Sequence, residues 1–508
     1  MMRVTNQIMT NNTLANINTN KLNLMKIEEQ YETGKKIQRP SDDPVVAIRA
    51  LKLRNNLTEI NQYFKKNVPD AKSWIQVTES ALTQVTDICT TLHSLADQGA
   101  NGTLTSTDRT SIMKTMQQYR QQIYQEGNAN YAGRYVFTGY KTDTSLTYLN
   151  DDKSKQYTIT EELDKTAIKT NLRTYGGYSA KDYEPGGANE FSEHPENQEI
   201  SYLRLAYKKL DAAADGYPKL TYKDEDGNEG DIDITSTDEN GETITSNSPD
   251  AYKKPDSGAK YIADTGELIL SDEAAEQLKN SKGFNVEYNK TEFSNGDVRP
   301  EHYFNCKATP LDEDGNPVDD ESKIINYKKE DQDIEYEVSF NQRLQINTQA
   351  KDALSHDLGR ELDGILASIE DVNLVENKLK EVDKLISGTT DAADLAGLKR
   401  LKEQINTELT LKQKVMQERF SQSLDSIKNY QNVVNKNIAD LGSRDARLEL
   451  TEQRLSGQTD DFKDLMSNNE NADLAETIIN FNAQKVIYNA SLQAGAKVVQ
   501  NTLLDFLR

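Results

Sequence analysis

The chain has 508 residues, of which 60 are Lys or Arg and 83 are Asp or Glu, so its formal net charge is −23. This acidity argues against nucleic acid or an anionic membrane as partners, because both favour positively charged surfaces. Residues 141–345 carry most of the excess, with 24 basic and 45 acidic residues, against 16 and 12 in residues 1–140 and 20 and 26 in residues 346–508. Only 35% of the residues are hydrophobic, which argues against one large core and favours an elongated protein or an assembly subunit.

Rare residue types exclude several kinds of site. The two cysteines, Cys89 and Cys306, lie far apart and form no Cys-x-x-Cys motif, so we expect no disulfide framework. None of the four histidines has a second ligand at helical spacing, and we therefore predict neither a metal nor a cofactor. There is no apolar run of signal-peptide length at the N-terminus and no stretch of 18 apolar residues that would predict a membrane span. These features favour a cytosolic protein or one exported without an apolar signal.

Residues 1–38 carry two helical stripes. The first has the alternating four- and three-residue spacing of a heptad seam and consists of Val4, Ile8, Asn11, Ala15, Asn18, Leu22 and Met25. The second consists of Leu14, Ile17, Leu24 and Ile27. A helix with apolar groups on two sides and many Asn and Thr residues is weakly stable alone. The pattern therefore predicts a helix that needs partners.

A second helix is predicted to start where Asp43 precedes Pro44. An Asp side chain caps free N–H groups, and proline at the first helical position loses no hydrogen bond. The helical pattern continues towards Gln98. Pro69 interrupts it and should kink or split the helix.

The next helix is predicted over residues 106–129. Thr105 and Asp108 have the spacing of a capping box at its start. Beyond its end, Tyr135 and Phe137 alternate as residues of a strand do.

Residues 141–345 differ from the helical ends. Apolar residues alternate with polar ones in several short runs, and acidic, glycine-containing clusters recur at 223–230, 237–242 and 311–317. Asp-Gly and Asn-Gly steps favour hairpin turns. The pattern predicts an insert of antiparallel β-structure, with short helices at 201–213 and 271–280.

Two of the acidic clusters also have the charge of an EF-hand calcium loop. The sixth position of such a loop requires Gly, and it is Glu229 when counted from Asp224 and Pro317 when counted from Asp312. Solvated hairpin turns are the favoured interpretation, and a weak calcium site is the alternative.

The helical pattern returns at residue 346, and no proline follows Pro317. It predicts a short amphipathic face over 358–369 and a long helix over 395–455. In the final segment Lys485 breaks an otherwise apolar seam, and Gly495 would let two helices approach closely. The seam consists of Leu474, Ile478, Phe481, Lys485, Tyr488, Leu492, Gly495, Val499, either Thr502 or Leu503, and Phe506.

These elements predict an elongated α+β protein, in which long N- and C-terminal helices form coiled-coil or helical-bundle layers and a β-rich insert lies between them in the chain. The chain would fold back so that both ends build shared layers, and their unpaired seams predict self-assembly. A long intramolecular coiled coil without a partner is the alternative. The predicted divisions are an N-terminal assembly helix (1–43), two halves of a helical rod (44–140 and 346–458), the acidic insert (141–345) and a C-terminal assembly helix (459–508).

Several motifs at the two ends resemble the bacterial flagellin superfamily. They are YETGKKIQRPSDDPVVAIRALKLR at 31–54, ANGTLTSTDR at 100–109, GRYVFTGYKT at 133–142, GSRDARLEL at 442–450 and the segment 472–507. The strand motif and one further run are closer to the junction-type members of the superfamily than to filament flagellins. That run is Arg39, Pro40, Ser41, Asp42, Asp43 and Pro44.

The resemblance implies a structural, extracellular role at the junction between the flagellar hook and filament, after secretion through the flagellar type III export channel. The implied partners are identical subunits, the first hook-associated protein, flagellin and an export chaperone that binds the C-terminal region. No cofactor, nucleic acid or membrane is implied. The inner helical layer would be lined by Val4, Ile8, Leu14, Ile17, Leu22, Leu474, Ile478, Phe481, Tyr488, Leu492, Val499, Leu503 and Phe506.

Two other functions remain open. The chain could be a filament flagellin, which belongs to the same structural class. An enzyme carried in the insert is a different class, since paired carboxylates can hydrolyse glycosides. However, the sequence contains neither a Gly-x-Ser-x-Gly motif nor a His-Glu-x-x-His motif, so we expect no catalytic residues.

Overall fold

The computed structural model describes residues 6–101, 104–187, 191, 194–214, 216–238, 241–248, 250–318 and 320–506. The helices in these ranges are α1 (Asn6–Thr33), α2 (Pro44–Gln62), α3 (Val68–Asn101), α4 (Ser106–Glu126), α5 (Asp272–Lys279), α6 (Ala350–Ala353), α7 (Asp357–Gly388), α8 (Ala392–Glu470) and α9 (Leu474–Phe506). None of these helices is both long enough and apolar enough to cross a membrane. Long helices at both ends and strands between them confirm the predicted α+β class.

Within the described ranges, the strands form two main sheets and two hairpins. They are β1 (Asn130–Tyr131), β2 (Arg134–Tyr135), β3 (Lys155–Leu163), β4 (Lys169–Tyr175), β5 (Glu196–Arg204), β6 (Lys219–Lys223), β7 (Glu229–Ile232), β8 (Ile234–Thr235), β9 (Ala259–Ile262), β10 (Glu267–Leu270), β11 (Gly283–Lys290), β12 (Asn305–Pro310), β13 (Ile325–Tyr327), β14 (Glu335–Ser339) and β15 (Gln342–Gln345). The five-stranded sheet has the order β4-β5-β10-β9-β8, and the six-stranded sheet has the order β13-β12-β3-β11-β6-β7. All main pairings except the parallel β8–β9 pair are antiparallel, as predicted for the insert.

The chain divides into two compact units. We call Met1–Ala71, Tyr336–Leu344 and Ala446–Arg508 the terminal unit, and Lys72–Glu335 and Gln345–Asp445 the central unit. The five-part division predicted from the sequence stays a prediction.

The central unit has a well-buried core. Its largest buried side chains include Trp74 on α3, Tyr288 on β11 and Phe420 on α8. Inside the five-stranded sheet region, a separate apolar cluster is formed by Ile200, Tyr202, Ile244, Ala251, Tyr252, Ile262 and Ile269. Burial of large apolar side chains on this scale is the main term that stabilises a domain.

The predicted helix starts are confirmed. Asp43 lies in the extended region, and its carboxylate accepts hydrogen bonds from the backbone N–H groups of Val45 and Val46, at 3.0 and 3.2 Å. Thr105 and Asp108 form the reciprocal bonds of a capping box at the start of α4. Local chemistry predicts these boundaries because each cap satisfies donors that the helix itself leaves free.

Pro69 splits the second predicted helix, as expected. Residues 63–67 form one π-helical turn between α2 and α3, in which the Val68 N–H donates to the carbonyl of Tyr63, five residues back. A proline has no N–H and its ring collides with the carbonyl four residues earlier. The wider turn removes that conflict without ending the helical path.

The predicted helix over 201–213 is wrong, whereas α5 confirms the helix predicted near 271–280. Residues 201–204 belong to β5, which pairs with β4 on one side and β10 on the other. Ile200 and Tyr202 alternate into the sheet core, and Leu203 and Leu205 are also buried. Pairing on both sides and burial on both faces outweigh the local helical pattern.

The Asp carboxylates of the acidic turns accept hydrogen bonds from residues of the same turn. Asp224 accepts bonds from the backbone N–H and side-chain amide of Asn228, at 2.8 and 3.0 Å, and these bonds hold its pKa below the usual value. Asp312 accepts from the N–H groups of Asp314 and Asn316, at 3.0 and 2.8 Å. Over the ranges that the structure describes, no three His, Cys, Asp or Glu side chains are grouped to hold a metal ion.

Candidate assembly surface

Helices α1 and α9 form an antiparallel pair within the terminal unit. The rings of Tyr31 and Phe481 stack with their centroids 6.0 Å apart and an angle of 15° between their planes. Further along α1 towards its N-terminus, Ile17 lies against Gly495. The predicted pairing of the two chain ends is therefore confirmed.

The face between α1 and α9 is a heptad seam on both helices. On α1 the less exposed positions from residue 13 to residue 27 are Thr13, Ile17, Asn20, Leu24 and Ile27. On α9 they are Thr477, Phe481, Gln484, Tyr488, Ser491, Gly495 and Val498. Spacings of four and three are those of knobs-into-holes packing. We call these positions the contact seam, and half of them are polar or glycine.

Gly495 permits the closest approach in the contact seam. A Cβ atom at this position would lie 2.7 Å from Cδ1 of Ile17 and 3.5 Å from Cγ2 of Thr13. Such a separation from Ile17 is shorter than a van der Waals contact allows. The predicted role of Gly495 in close helix approach is confirmed.

A second set of apolar residues on the pair is exposed. Leu22 has 66% and Val486 67% of its surface exposed to solvent. The set, which we call the outer seam, consists of Ile8, Met9, Leu14, Leu22 and Met25 on α1 and Leu474, Ile478, Ile479, Val486, Ile487 and Leu492 on α9. Soluble monomers rarely expose so many large apolar side chains on one helix pair.

The structure separates the residues predicted for the inner helical layer into two groups. Ile17, Phe481 and Tyr488 lie in the contact seam, whereas Ile8, Leu14, Leu22, Leu474, Ile478 and Leu492 lie in the outer seam. Val4 lies outside the described residues, and the side chains of Val499, Leu503 and Phe506, within α9, also lie outside the description. The assembly role of all these residues stays a prediction.

Five members of the outer seam lie outside that predicted set: Met9, Met25, Ile479, Val486 and Ile487. Met25 already lies on the first stripe of residues 1–38. The others each lie next to a position of a predicted seam, and the predicted stripes do not include them.

The pair ends where two short connectors meet. Lys35 and Asn471 form an antiparallel bridge. The Lys36 N–H donates to the Glu470 carbonyl and the Ala472 N–H donates to the Gly34 carbonyl, each at 2.8 Å. Gly34 has a φ of +65°, a left-handed conformation that ends a helix without strain in glycine.

The Glu470 carboxylate holds this connection together. It accepts two hydrogen bonds from the guanidinium of Arg54, at 2.8 and 2.7 Å, and one from the Lys35 ammonium at 3.4 Å. The bonds from Arg54 are the main cause that lowers the pKa of Glu470. A bidentate Arg–carboxylate pair fixes orientation as well as adding energy. Sequence reasoning missed it, because no local signal connects residues that lie 416 positions apart.

The signature run 39–44 shapes the loop before α2. The Asp42 carboxylate accepts from the N–H groups of Gln38 and Arg39, at 3.2 and 2.9 Å, and these bonds lower its pKa. Asp43 and Pro44 start α2. Arg39, Pro40 and Ser41 are exposed.

Two family models match the ends of the chain. The bacterial flagellin N-terminal helical region matches residues 4–142, and the bacterial flagellin C-terminal helical region matches residues 424–507. The two helical ends of the chain are therefore similar to the helical regions of bacterial flagellins.

Particular relatives bear flagellar names. Flagellar hook-associated protein 3 of Salmonella typhimurium is 34% identical over 145 residues, which cover 28% of this chain and 45% of that protein. The Escherichia coli protein of the same name gives the same figures. A flagellin of Clostridium tyrobutyricum is 34% identical over 122 residues, covering 24% of this chain and 32% of that protein. The chain thus spans less than half the length of these relatives.

Two solved structures of flagellar proteins are similar to the chain at low scores. The flagellar junction protein FlgL from Legionella pneumophila has 12% identity and a TM-score of 0.29, with 84% of this chain and all of that chain covered. FlgL from Xanthomonas campestris has 11% identity and a TM-score of 0.27, with 80% and 99% covered. At such scores neither likeness supports a conclusion.

Proposed function

We propose that this chain is a structural subunit of the bacterial flagellum that assembles with copies of itself in the layer between the hook-associated proteins and the flagellin filament. The observation that carries the proposal is the outer seam. Each terminal helix packs one heptad face against the other helix and leaves further large apolar side chains exposed to solvent. A face of this kind is stabilised when another helix covers it.

The relatives favour the junction. Two proteins at 34% identity are named flagellar hook-associated protein 3, and the run Arg39 to Pro44 resembles junction-type members. The proposal includes secretion to the cell exterior, contact with the first hook-associated protein and with flagellin, and an export chaperone on the C-terminal helix. It assigns no catalytic role, in keeping with the structural flagellar names of the relatives.

Deletion of the gene tests the proposal. A strain without the chain should keep its hooks but release flagellin monomers into the medium, because the filament has no base on which to polymerise. The matched control is the same strain complemented with the full chain. If the deletion strain secretes no flagellin at all, the chain acts earlier than assembly and the adaptor role is wrong.

A filament flagellin is the second candidate, favoured by the match to the Clostridium tyrobutyricum flagellin. Copy number and position separate the two. An antibody against residues 141–345 should label flagella only next to the hook in electron micrographs. Label along the whole filament would identify a flagellin instead.

A further inference from the structure

A cleft with a volume of about 630 Å³ lies inside the central unit. Its walls come from the β3–β4 turn, from Tyr202 and Arg204 on β5, and from helices α7 and α8. A smaller hollow of about 220 Å³ shares Lys169, Tyr202 and Arg419 with it. We call the two together the arginine cleft.

The deep side of the cleft is strongly cationic. Arg419 is only 4% exposed, and the side chains of Arg204 and Arg360 are 11% and 16% exposed. Arg419 and Arg204 converge over Gly364, where a Cβ atom would lie 2.9 Å from Nη2 of Arg419 and 3.4 Å from Nη1 of Arg204. Two guanidinium groups held this close require an anion nearby.

The buried carboxylates only partly meet that requirement. Glu267 lies 2.7 Å from Arg173 and 3.6 Å from Arg204. Despite its burial, Arg173, Arg204 and Arg419 together lower its pKa, so one carboxylate serves three guanidinium groups.

Arg360 has its own partner, Glu161, at 2.5 Å. Arg419 donates to the hydroxyl of Tyr202 at 2.7 Å, which is a neutral acceptor. Within the part of the chain that the structure describes, its Nε atom is buried without a hydrogen-bond partner.

The outer side of the cleft has mixed charge. Lys169 is exposed and has no ion-pair partner among the described residues. The carboxylate-bearing residues Glu162, Asp164 and Glu361 also line the cleft. These acidic groups would repel a polyanion, but they can accept hydrogen bonds from hydroxyl or ammonium groups.

We propose that the arginine cleft binds a small carboxylate ligand, whose carboxylate lies on Arg419 and whose hydroxyl or amino groups face the acidic outer side. Guanidinium groups bind carboxylates with well-oriented, charge-assisted hydrogen bonds. The source of the carboxylate is either an acidic sugar or a free amino acid. Both combine one anionic group with several donors.

Titration of the full chain with three probes tests the proposal, by saturation-transfer NMR or calorimetry. Glucuronate represents acidic sugars, serine represents amino acids, and glucose is the neutral control. Saturable binding of glucuronate or serine, but not of glucose, is expected, and the better probe identifies the source. Binding of glucose with equal affinity, or of neither carboxylate, would overturn the proposal.

Two matched lysine variants locate the binding. Lys169→Gln should weaken it about five-fold, since one partly exposed charge is lost. Lys165→Gln, on the same turn but outside the cleft lining, should leave it unchanged. Equal effects of both variants would contradict the site.

Arg419→Gln gives the larger effect. It should weaken binding at least ten-fold, because it removes the buried charge that meets the carboxylate. Circular dichroism checks that the variant is folded. If it is not, the lysine pair decides.

Discussion

The α1–α9 pair and the central unit arrange their apolar residues in opposite ways. In the central unit, Trp74, Tyr288 and Phe420 are almost fully buried. In the pair, the contact seam mixes apolar side chains such as Ile17 with polar ones such as Gln484 and Ser491, while further leucine, isoleucine and valine side chains are exposed in the outer seam. The central unit therefore buries large apolar side chains in a core of its own, whereas much of the apolar surface of the pair stays exposed.

Removing both chain ends should have the largest effect, because it separates assembly from folding of the central unit. A chain without residues 1–40 and 460–508 loses both seams but keeps the buried core of the central unit. We expect a folded protein by circular dichroism that sediments as a monomer under conditions where the full chain assembles. A truncated protein that still assembles would place the interface elsewhere.

Single substitutions in the two seams should separate their roles. Leu22→Asp puts a charge in the outer seam and should weaken assembly at least 100-fold, with monomer stability changed by no more than about 0.5 kcal/mol. Ile17→Asp puts the same charge in the contact seam and should open the α1–α9 pair in the monomer. Sedimentation and hydrogen exchange on α1 measure the two effects. Asn23→Asp, exposed on neither seam, is the control, and equal effects at residues 17 and 22 would refute the division.

Helix boundaries and the double stripe on α1 could be predicted from the sequence, because capping and periodicity are local properties. Which stripe faces α9 could not be predicted. Both stripes have helical spacing, and neither carries a local signal for the helix that it will meet. In the structure the second stripe faces α9, with Ile17, Leu24 and Ile27 in the contact seam, where the small Gly495 admits Ile17.

Other features of the candidate sites depend on pairing over long distances. The Arg54–Glu470 contact joins residues 416 positions apart. Arg204 and Arg419 come together only because β5 lies near α8, and the end of β5 that carries Arg204 was predicted as part of a helix. Pattern alone therefore could not reveal the arginine cleft.

Low pH should lower the stability of the central unit, because His302 is protonated more readily in the unfolded chain. Burial, with Lys141 and Arg299 nearby, lowers the pKa of His302 to about 4, against about 6.5 in an unfolded chain. Between these values the unfolded state binds a proton that the folded state does not. Stability should therefore fall by roughly 3 kcal/mol as pH drops from 6.5 to 4.

The only tryptophan, Trp74, lies in the central unit and reports its unfolding. Denaturation followed by its fluorescence should be less pH-dependent in His302→Gln than in the parent chain over this window. The terminal unit contains no histidine, so histidine protonation does not change its stability over this pH range. Identical pH slopes for the variant and the parent would rule out His302 as the cause.

A larger side chain at Gly495, where α1 and α9 approach most closely, should destabilise the α1–α9 pair. Gly495→Leu forces atoms into the position of Ile17 and should cost about 1–3 kcal/mol, seen as faster hydrogen exchange along α1. Gly457→Leu is the matched control on α8, since nothing lies within 4 Å of a Cβ there. It should stabilise its helix by roughly 0.5–1 kcal/mol. If Gly495→Leu stabilised its helix as Gly457→Leu is expected to do, helix propensity, and not the contact with α1, would govern residue 495.

The smallest effect is expected where the connectors meet. Glu470→Gln removes the charge that pairs with Arg54, and because the Arg54 side chain is 59% exposed, the loss should be only about 1 kcal/mol. Arg54 lowers the pKa of Glu470, so this stability is present at neutral pH and is lost as pH falls below about 4.5 through the folded pKa. The variant should therefore differ from the parent at pH 7 and converge with it in acid, by hydrogen exchange on α1 and α9. Glu449→Gln, an exposed position on α8, should differ at neither pH. A difference that persists in acid would mean that the shape of the side chain, rather than its charge, holds the pair to α2.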